Sequence, residues 1–498
     1  MIIPTEAQQK IIEKEGNLIV SASAGTGKTF TLVKKIAKEV GDYKGFKKIA
    51  AITFTIKATR EIKERLDIDA QDHFIGTNNS FAIEEVIKPF LRDVFGPSFQ
   101  RDMSPDYNEK FNTINEGLNF IQNRGIIGCY YENKSNFIFE LALKILTGSK
   151  ACRLYLKAKY KKIYIDEYQD CDRDMHQFFM ALTDLLHIEM FIVGDEKQAI
   201  YRWRGACPDL FEEIKNKENF TFIPLFDNHR SCVQIQNYSN LLFDKTKYLY
   251  KNIDNLKNIV FLEQDEFTNQ KIEKLIDLNK SIAILRFKRQ EAENVVSQFR
   301  EIIPDCVYLP PLPITEIANE YSWLIQNICR FCVLKSYSKY MFLDEMPNRD
   351  YLSSEKTGQI CKGLDLIKKN ILNKETFHVQ VKNFCLYFNY KIRDVYIDKM
   401  YESITDKKFL KSYTPEQFNH VSITFHSSKG LEFDQVIVFT EDFPLDCSDS
   451  YSNHYVAVTR AKEKLMIIYN YTKNSRKFKA NIISRIQPRK LEDLVTIV

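Results

Sequence analysis

The chain carries almost no charge excess: 71 Lys and Arg against 66 Asp and Glu leave a net charge of +5 over 498 residues. So small a surplus excludes inferring a nucleic-acid partner from bulk charge, and any basic footprint has to be local. No apolar run approaches the roughly 18 residues a membrane span needs, and the opening MIIPTEAQQKIIEKEG lacks a basic stretch followed by an apolar one. No membrane partner is expected, and the setting is read as cytoplasmic and reducing. The eleven cysteines show no framework spacing. The one close pair, Cys329 and Cys332, has no second pair or nearby histidines to complete a tetrahedral zinc site, so the cysteines read as buried thiols. Low-complexity tracts and fixed-period repeats are missing too, which sets solenoids aside. What is present is an ordinary globular composition, 44% hydrophobic and 28% charged. It is long enough for about three domains.

Short β-rich apolar runs alternate with longer helical stretches, the pattern of parallel sheets covered by helices. A first series of strands is expected at Asn17–Ala22, Lys48–Phe54, Phe74–Thr77, Lys162–Asp166, Met190–Gly194 and Phe220–Pro224. A second falls at Ser281–Leu285, Val421–Phe425, Gln435–Thr440 and Lys464–Tyr469. Between Phe81 and Ile163 lies an insertion of about 80 residues with helical patterning, too long for an unstructured connection. The stretch from Val233 to Tyr413 is mixed.

NLIVSASAGTGKTFTLVKKI reads as strand, small-residue loop and helix. Ser23, Ala24, Gly25, Thr26 and Gly27 can close backbone amides on phosphate oxygens. The helix N-terminus adds positive potential, Lys28 reaches the β/γ phosphates of ATP, and Thr29 ligates Mg2+. Position 22 is Ala where the usual fingerprint has Gly. KIYIDEYQD ends a buried strand in adjacent carboxylates, so Asp166 can hold the metal while Glu167 polarises water. In MFIVGDEKQAIYRWRGA, Gln198 can sense the γ-phosphate and pass its state to Tyr201, Arg202, Trp203 and Arg204. Taken singly, each of these motifs has a bland reading as a turn, a solvated loop or a packing corner. Their order along one chain argues otherwise.

The ordered series TEAQQ, SASAGTGKT, AITFTIKATREIKERL, TNNSF, IYIDEYQD, VGDEKQAIYRWRGA, DNHRS, ITFHSSKGLEFDQVIVF and YVAVTRAKEKL resembles the superfamily 1 DNA helicases of the UvrD, PcrA and Rep type. The resemblance implies an α/β fold with two RecA-like P-loop NTPase cores, each a parallel sheet with helices on both faces. Core 1A would take residues 1–80 and 161–225 and core 2A residues 226–300 and 414–498. A helical 1B-type insertion would lie at 81–160 and a reduced 2B-like or helical insertion at 301–413. It implies that Gln8 holds the adenine edge, that His229 stacks where members usually carry Tyr, and that Glu432 reaches the ribose. Arg230 and Arg460 become arginine fingers, groups typically worth about 10³–10⁵ in rate. The implied single-stranded DNA track comprises Thr53, Phe54, Thr55, Thr77, Ser80, Trp203, Arg204, His426, Ser428 and Lys429, hydroxyls and cations for phosphates and aromatic faces for bases. Asn79 stands where the family has His.

About 190 residues separate Ser231 from Val421, short for the family's second insertion, and 38 follow Arg460, too few for a fused nuclease. On size the chain is similar to the helicase-like subunits of bacterial Gabija antiviral systems. That implies a partner chain, an ATPase-linked endonuclease with a Toprim domain, in a hetero-oligomer. The expected activity is DNA-stimulated ATP hydrolysis with 3′ to 5′ translocation. The alternatives are a DNA-terminus-sensing ATPase that activates the partner nuclease, or a stand-alone repair helicase.

Overall fold

The computed structural model describes residues 3–66, 73–132, 135–266, 268–317, 321–346, 353–388 and 390–498, the side chains at 56 and 57 aside. The chain opens with helix α1 (Glu6–Glu13), started by a reciprocal cap between Thr5 and Gln8. Strand β1 (Leu18–Ala22) feeds helix α2 (Lys28–Asp42). β2 (Lys48–Thr53) and β3 (Phe74–Thr77) follow. The insertion is mainly helical, with helices at Ile114–Arg124, Phe137–Gly148 and Lys150–Lys159. It also holds a parallel strand pair that the sequence reading did not contain, β4 (Ser104–Phe111) and β5 (Ile126–Tyr130). The chain then returns through β6 (Tyr160–Ile165), β7 (Glu189–Gly194) and β8 (Thr221–Leu225) to complete a parallel sheet ordered β3-β2-β6-β7-β1-β8.

A second sheet is built from β9 (Ile259–Glu263), β10 (Ile282–Arg286), β11 (Val307–Tyr308), β12 (His420–Thr424), β13 (Phe433–Phe439), β14 (Ala461–Tyr469) and β15 (Thr496–Ile497), ordered β11-β12-β10-β13-β14-β9-β15. Every registered pair in both sheets is parallel. Parallel sheets bury both faces, and the strands comply. In β1, Leu18 and Val20 pack toward α2 while Ile19 joins the cluster on the other face. In β10, Ala283 and Leu285 face one cluster and Ile282 and Ile284 the other. Each such Leu, Ile or Val side chain contributes about 1.5–3 kcal/mol. All ten strands expected from the sequence are present. β9, β11 and β15 are additions in the stretches read as mixed or left open.

Between β11 and β12 the chain forms a helical body with its own apolar core, including Ile328, Leu364, Phe384 and Met400. It touches the first insertion, where Arg393 pairs with Asp106 at 3.2 Å and the Tyr396 hydroxyl donates to Asp106 at 3.1 Å. All eleven cysteines are unpaired. Among the described residues no helix is long and apolar enough to cross a membrane.

Candidate active site

In the first sheet β6, β7 and β1 lie side by side and run in one direction, so the loops after their carboxyl ends share one edge. Such edges are where open α/β sheets bind ligands. The loop after β1 is Ser23–Gly27, with Gly25 and Gly27 at φ +75° and +77°, left-handed values that glycine adopts freely. A Cβ at Gly25 would sit 2.3 Å from Asn228 Oδ1, and one at Gly27 would sit 2.9 Å from Gln8 Nε2. The loop is thus clasped from both sides. Gln8 Nε2 donates to the Thr26 carbonyl at 3.0 Å while its Oε1 accepts the Thr5 N–H at 2.9 Å. Ser23, Ala24 and Thr26 are buried, and the Thr26 hydroxyl donates to the Ser23 carbonyl at 2.8 Å. Lys28 and Thr29 open α2.

Asp166 and Glu167 follow β6. Asp166 is buried and accepts the Glu167 N–H at 2.8 Å. Glu167 takes a positive φ of 54°, a strained backbone for a residue with a side chain. Burial, reinforced by the charge of Glu167, pushes Asp166 well above the usual carboxylate range. Burial acts on Glu167 in the same sense, but the ammonium groups of Lys28 and Lys429 outweigh it and hold its carboxylate low. Lys28 Nζ lies 3.5 Å from Glu167 Oε1. It is buried without a hydrogen-bond partner among the described residues. A buried ammonium that lacks a hydrogen bond, beside a loop whose two glycines leave room for nothing larger, fits a polyphosphate. Asp166 and Thr29, at the same edge, are the donor types a magnesium ion takes.

The second core reaches the same loop. The His229 N–H donates to the Gly25 carbonyl at 2.9 Å, leaving its ring exposed. Arg230 Cβ is 2.8 Å from where a Gly25 Cβ would be. Its Nε donates to Glu432 at 2.7 Å and its Nη1 to the Thr459 carbonyl at 3.4 Å. Arg460 is buried, held by the Val456 carbonyl at 2.9 Å and the Leu431 carbonyl at 3.2 Å, with Nη2 3.4 Å from Gln198 Oε1. Burial, then the neighbouring Arg230, pulls its pKa down to about 10. Ala24 and Ile200 of the first core pack within the apolar cluster of the second, so this meeting of cores is a packed contact. The structure therefore brings Gln8, Ser23–Thr29, Asp166, Glu167, Gln198, His229, Arg230, Glu432 and Arg460 to one place.

The expected DNA residues divide. Trp203 is 60% exposed, with the Arg204 guanidinium 4.5 Å from its ring centre. His426 is half-buried against Phe425 at 3.8 Å, and burial, then Arg204, lowers its pKa to about 4. Phe54 is half-buried against the first-core cluster. Thr55 caps the helix Ile56–Arg65, while Thr77 and Ser80 bond each other in a capping box. Three of the expected residues have their polar groups engaged within the protein. Thr53 is buried, its hydroxyl engaged by the Thr55 carbonyl and Thr59, and Ser428 is buried with its hydroxyl on the Phe425 carbonyl. Lys429 turns inward, 2.7 Å from Asp170 and 3.4 Å from Glu167, because two half-buried carboxylates attract it more strongly than solvent does. Those carboxylates raise its pKa against the opposing effect of burial, and burial pushes Asp170 up to about 6.

The sequence reading also missed Asp170, Asp195, Lys197 and Tyr455. Asp195 follows β7 as Asp166 follows β6, and that parallel was a usable signal. Nothing local marks Tyr455, whose hydroxyl partners lie in the other core.

Residues 5–204 match the family described as an AAA domain, and residues 367–472 match the UvrD-like helicase C-terminal domain. The Gabija protein GajB of Bacillus cereus (strain VD045) is 34% identical across 94% of this chain and 96% of that protein. The ATP-dependent DNA helicase PcrA of Bacillus subtilis (strain 168) is 26% identical across 47% of this chain and 38% of that protein. The ATP-dependent DNA helicase Rep of Buchnera aphidicola subsp. Baizongia pistaciae is 22% identical across 93% and 91%. With two parallel α/β cores meeting at one phosphate loop, the chain belongs to the UvrD-like family of ATP-dependent DNA helicases, as a relative of the Gabija protein GajB.

Proposed function

We propose that the chain is the motor of an antiphage defence complex of the Gabija type: a DNA-stimulated ATPase moving 3′ to 5′ on a single strand, paired with an endonuclease chain carrying a Toprim domain. The observation that carries the reading is the convergence of Lys28, Asp166 and Glu167 from the first core with Arg230 and Arg460 from the second. A nucleotide bound there bridges the cores, so its hydrolysis changes their separation. The assignment of 1–80 and 161–225 to core 1A, 226–300 and 414–498 to core 2A, with insertions between, belongs to the same proposal.

In this reading the loop amides and Lys28 take the phosphates, and Arg230 and Arg460 stabilise charge on the transferring group. Thr29 and Asp166 would hold Mg2+, which neutralises charge on the β- and γ-phosphate oxygens. Gln8 and His229 flank the base, and Glu432 the ribose. Glu167 orients and deprotonates the attacking water. In the present arrangement its charge is matched by Lys28 and Lys429. Transfer of Lys28 to phosphate removes one of these cations. A shift of the segment His426–Lys429 on DNA binding removes the other and frees the carboxylate, which gives a physical route to DNA stimulation. Trp203, Arg204, Phe54 and His426 supply the stacking and cationic surface for the strand, helped by Thr55, Thr77 and Ser80 at the rim.

Glu167→Gln tests the site: ATP turnover on single-stranded DNA should drop by about 10² or more while nucleotide binding persists. Normal turnover would remove the assignment. Strand displacement on 3′-tailed against 5′-tailed duplexes tests direction. The same assay on the chain alone and with its endonuclease separates a translocating helicase from a sensor of DNA ends, which would hydrolyse ATP without displacing a strand.

A further inference from the structure

Behind the phosphate loop lies a buried polar cluster to which the nucleotide reading gives no role. Its centre is Asp195, fully buried after β7, whose backbone N–H donates to Gln169 Oε1 at 2.9 Å. One carboxylate oxygen pairs with Lys197 Nζ at 2.7 Å, and that ammonium also donates to Ser23 Oγ of the loop at 3.1 Å. The other oxygen accepts from Gln198 Nε2 at 2.8 Å and from the Tyr455 hydroxyl at 3.2 Å. Tyr455 comes from the second core, on the helix Ser448–Val458, and its oxygen accepts the Ala24 N–H of the loop at 3.2 Å.

The donor and acceptor pattern has one solution. Lys197 and Lys28 outweigh burial and keep Asp195 ionised, so it only accepts. The Tyr455 proton must then point at Asp195, leaving the hydroxyl oxygen for Ala24. The Gln198 amide must turn its nitrogen to Asp195, which leaves Oε1 facing the Arg460 guanidinium at 3.4 Å. A neutral group at 195 would impose neither orientation. The Tyr455 hydroxyl touches the loop of one core from the other, so it can form these bonds only when the cores are closed.

We propose that Asp195, Lys197 and Tyr455 are positioning residues for ATP hydrolysis: they fix the Gln198 amide so that it presents Arg460, and they register the phosphate loop against the closed second core. This rests on the nucleotide-site reading above. Tyr455→Phe keeps the ring, which packs on Phe243 at 5.5 Å, and removes the hydroxyl alone. With saturating single-stranded DNA its kcat should fall about tenfold, the effect of losing one charge-assisted hydrogen bond, with KM for ATP within about threefold. Lys197→Met should behave alike, and Lys197→Arg should restore part of the rate.

A double-mutant cycle with Arg460→Ala separates positioning from general support of the fold. If Tyr455 acts through Arg460, the Tyr455→Phe loss should largely vanish in the Arg460→Ala background. Full multiplication of the two losses, an unchanged kcat in Tyr455→Phe, or a change in KM alone would each overturn the proposal. Should Tyr455→Phe fail to fold, the Lys197→Met and Lys197→Arg pair carries the same cycle. Parental turnover in Arg460→Ala alone would sink the nucleotide-site reading itself. A slow Arg460→Ala beside a normal Tyr455→Phe would sink only this inference.

Discussion

Replacing Arg460 by lysine keeps a cation and tests whether this guanidinium acts on the transferring phosphate. The arginine is anchored through Nε to Val456 and Nη1 to Leu431, which leaves Nη2 to point across the core boundary at Gln198. One ammonium cannot reach two anchoring carbonyls and still extend past them, so its charge would be withdrawn toward the helix Ser448–Val458. Burial and Arg230 already pull the arginine down to about 10. A lysine starts lower, so the same surroundings bring it closer to losing its proton. The anchoring bonds given up are worth about 1–3 kcal/mol each, partly offset by relief of repulsion from Arg230. The loss at the transition state should be near the about 10³ that marks the lower end for an arginine finger. The assay is steady-state ATP hydrolysis with saturating single-stranded DNA, alongside equilibrium binding of a fluorescent ATP analogue. Turnover should fall by about three orders of magnitude while binding weakens only several-fold. Turnover within tenfold of the parent would refute the role, and equal losses in both would assign Arg460 to binding alone.

Three further outcomes follow from the geometry. Gly25→Ala forces a left-handed alanine, about 1–2 kcal/mol, and drives its methyl into Asn228 Oδ1, which accepts the Arg230 and Ser231 N–H groups at 2.8 and 3.0 Å. With those bonds at about 1 kcal/mol each, ATP affinity by calorimetry should weaken at least about 30-fold, and unchanged affinity would contradict the loop geometry. Lys429→Ala removes the cation between Asp170 and Glu167 and should lower the ratio of DNA-stimulated to basal ATPase by raising the basal rate. An unchanged ratio would show that Lys429 does not restrain Glu167. His454 is fully buried beside Tyr238, and burial depresses its pKa to about 3. The unfolded chain takes up that proton below about pH 6.5 and the folded chain does not, so stability is full above that pH and falls by about 1.4 kcal/mol per unit below it. The thermal midpoint should therefore drop more steeply from pH 7 to 5 in the parent than in His454→Gln, and equal slopes would show that His454 is not the group responsible.

Much of the fold was legible because its strands are short apolar runs bounded by polar residues, and because Gly25, Gly27 and Lys28 sit where a strand hands over to a helix. The strands that escaped have physical reasons. Ser104–Phe111 carries Asp106, Asn108, Glu109 and Lys110, with neither alternation nor a continuous apolar run. Ile259–Glu263 is buried on both faces and lies in a stretch of mixed patterning, where so short a run cannot be told from a helical segment. Of the site, residue types and order were readable, but side-chain direction was not. Lys429 points at Asp170, 259 positions away, and Tyr455 bonds Ala24 across 431. Such contacts are made when two cores close and leave no periodic trace in either segment.

If one triphosphate is shared between the two cores, both must touch it in the closed state. A crystal structure of the chain with ADP, aluminium fluoride, magnesium and a short single strand of DNA would show this. Lys28 and the guanidinium groups of Arg230 and Arg460 should all lie within hydrogen-bond distance of the fluoride or β-phosphate. Either arginine turned away from a nucleotide held by the first core alone would contradict it.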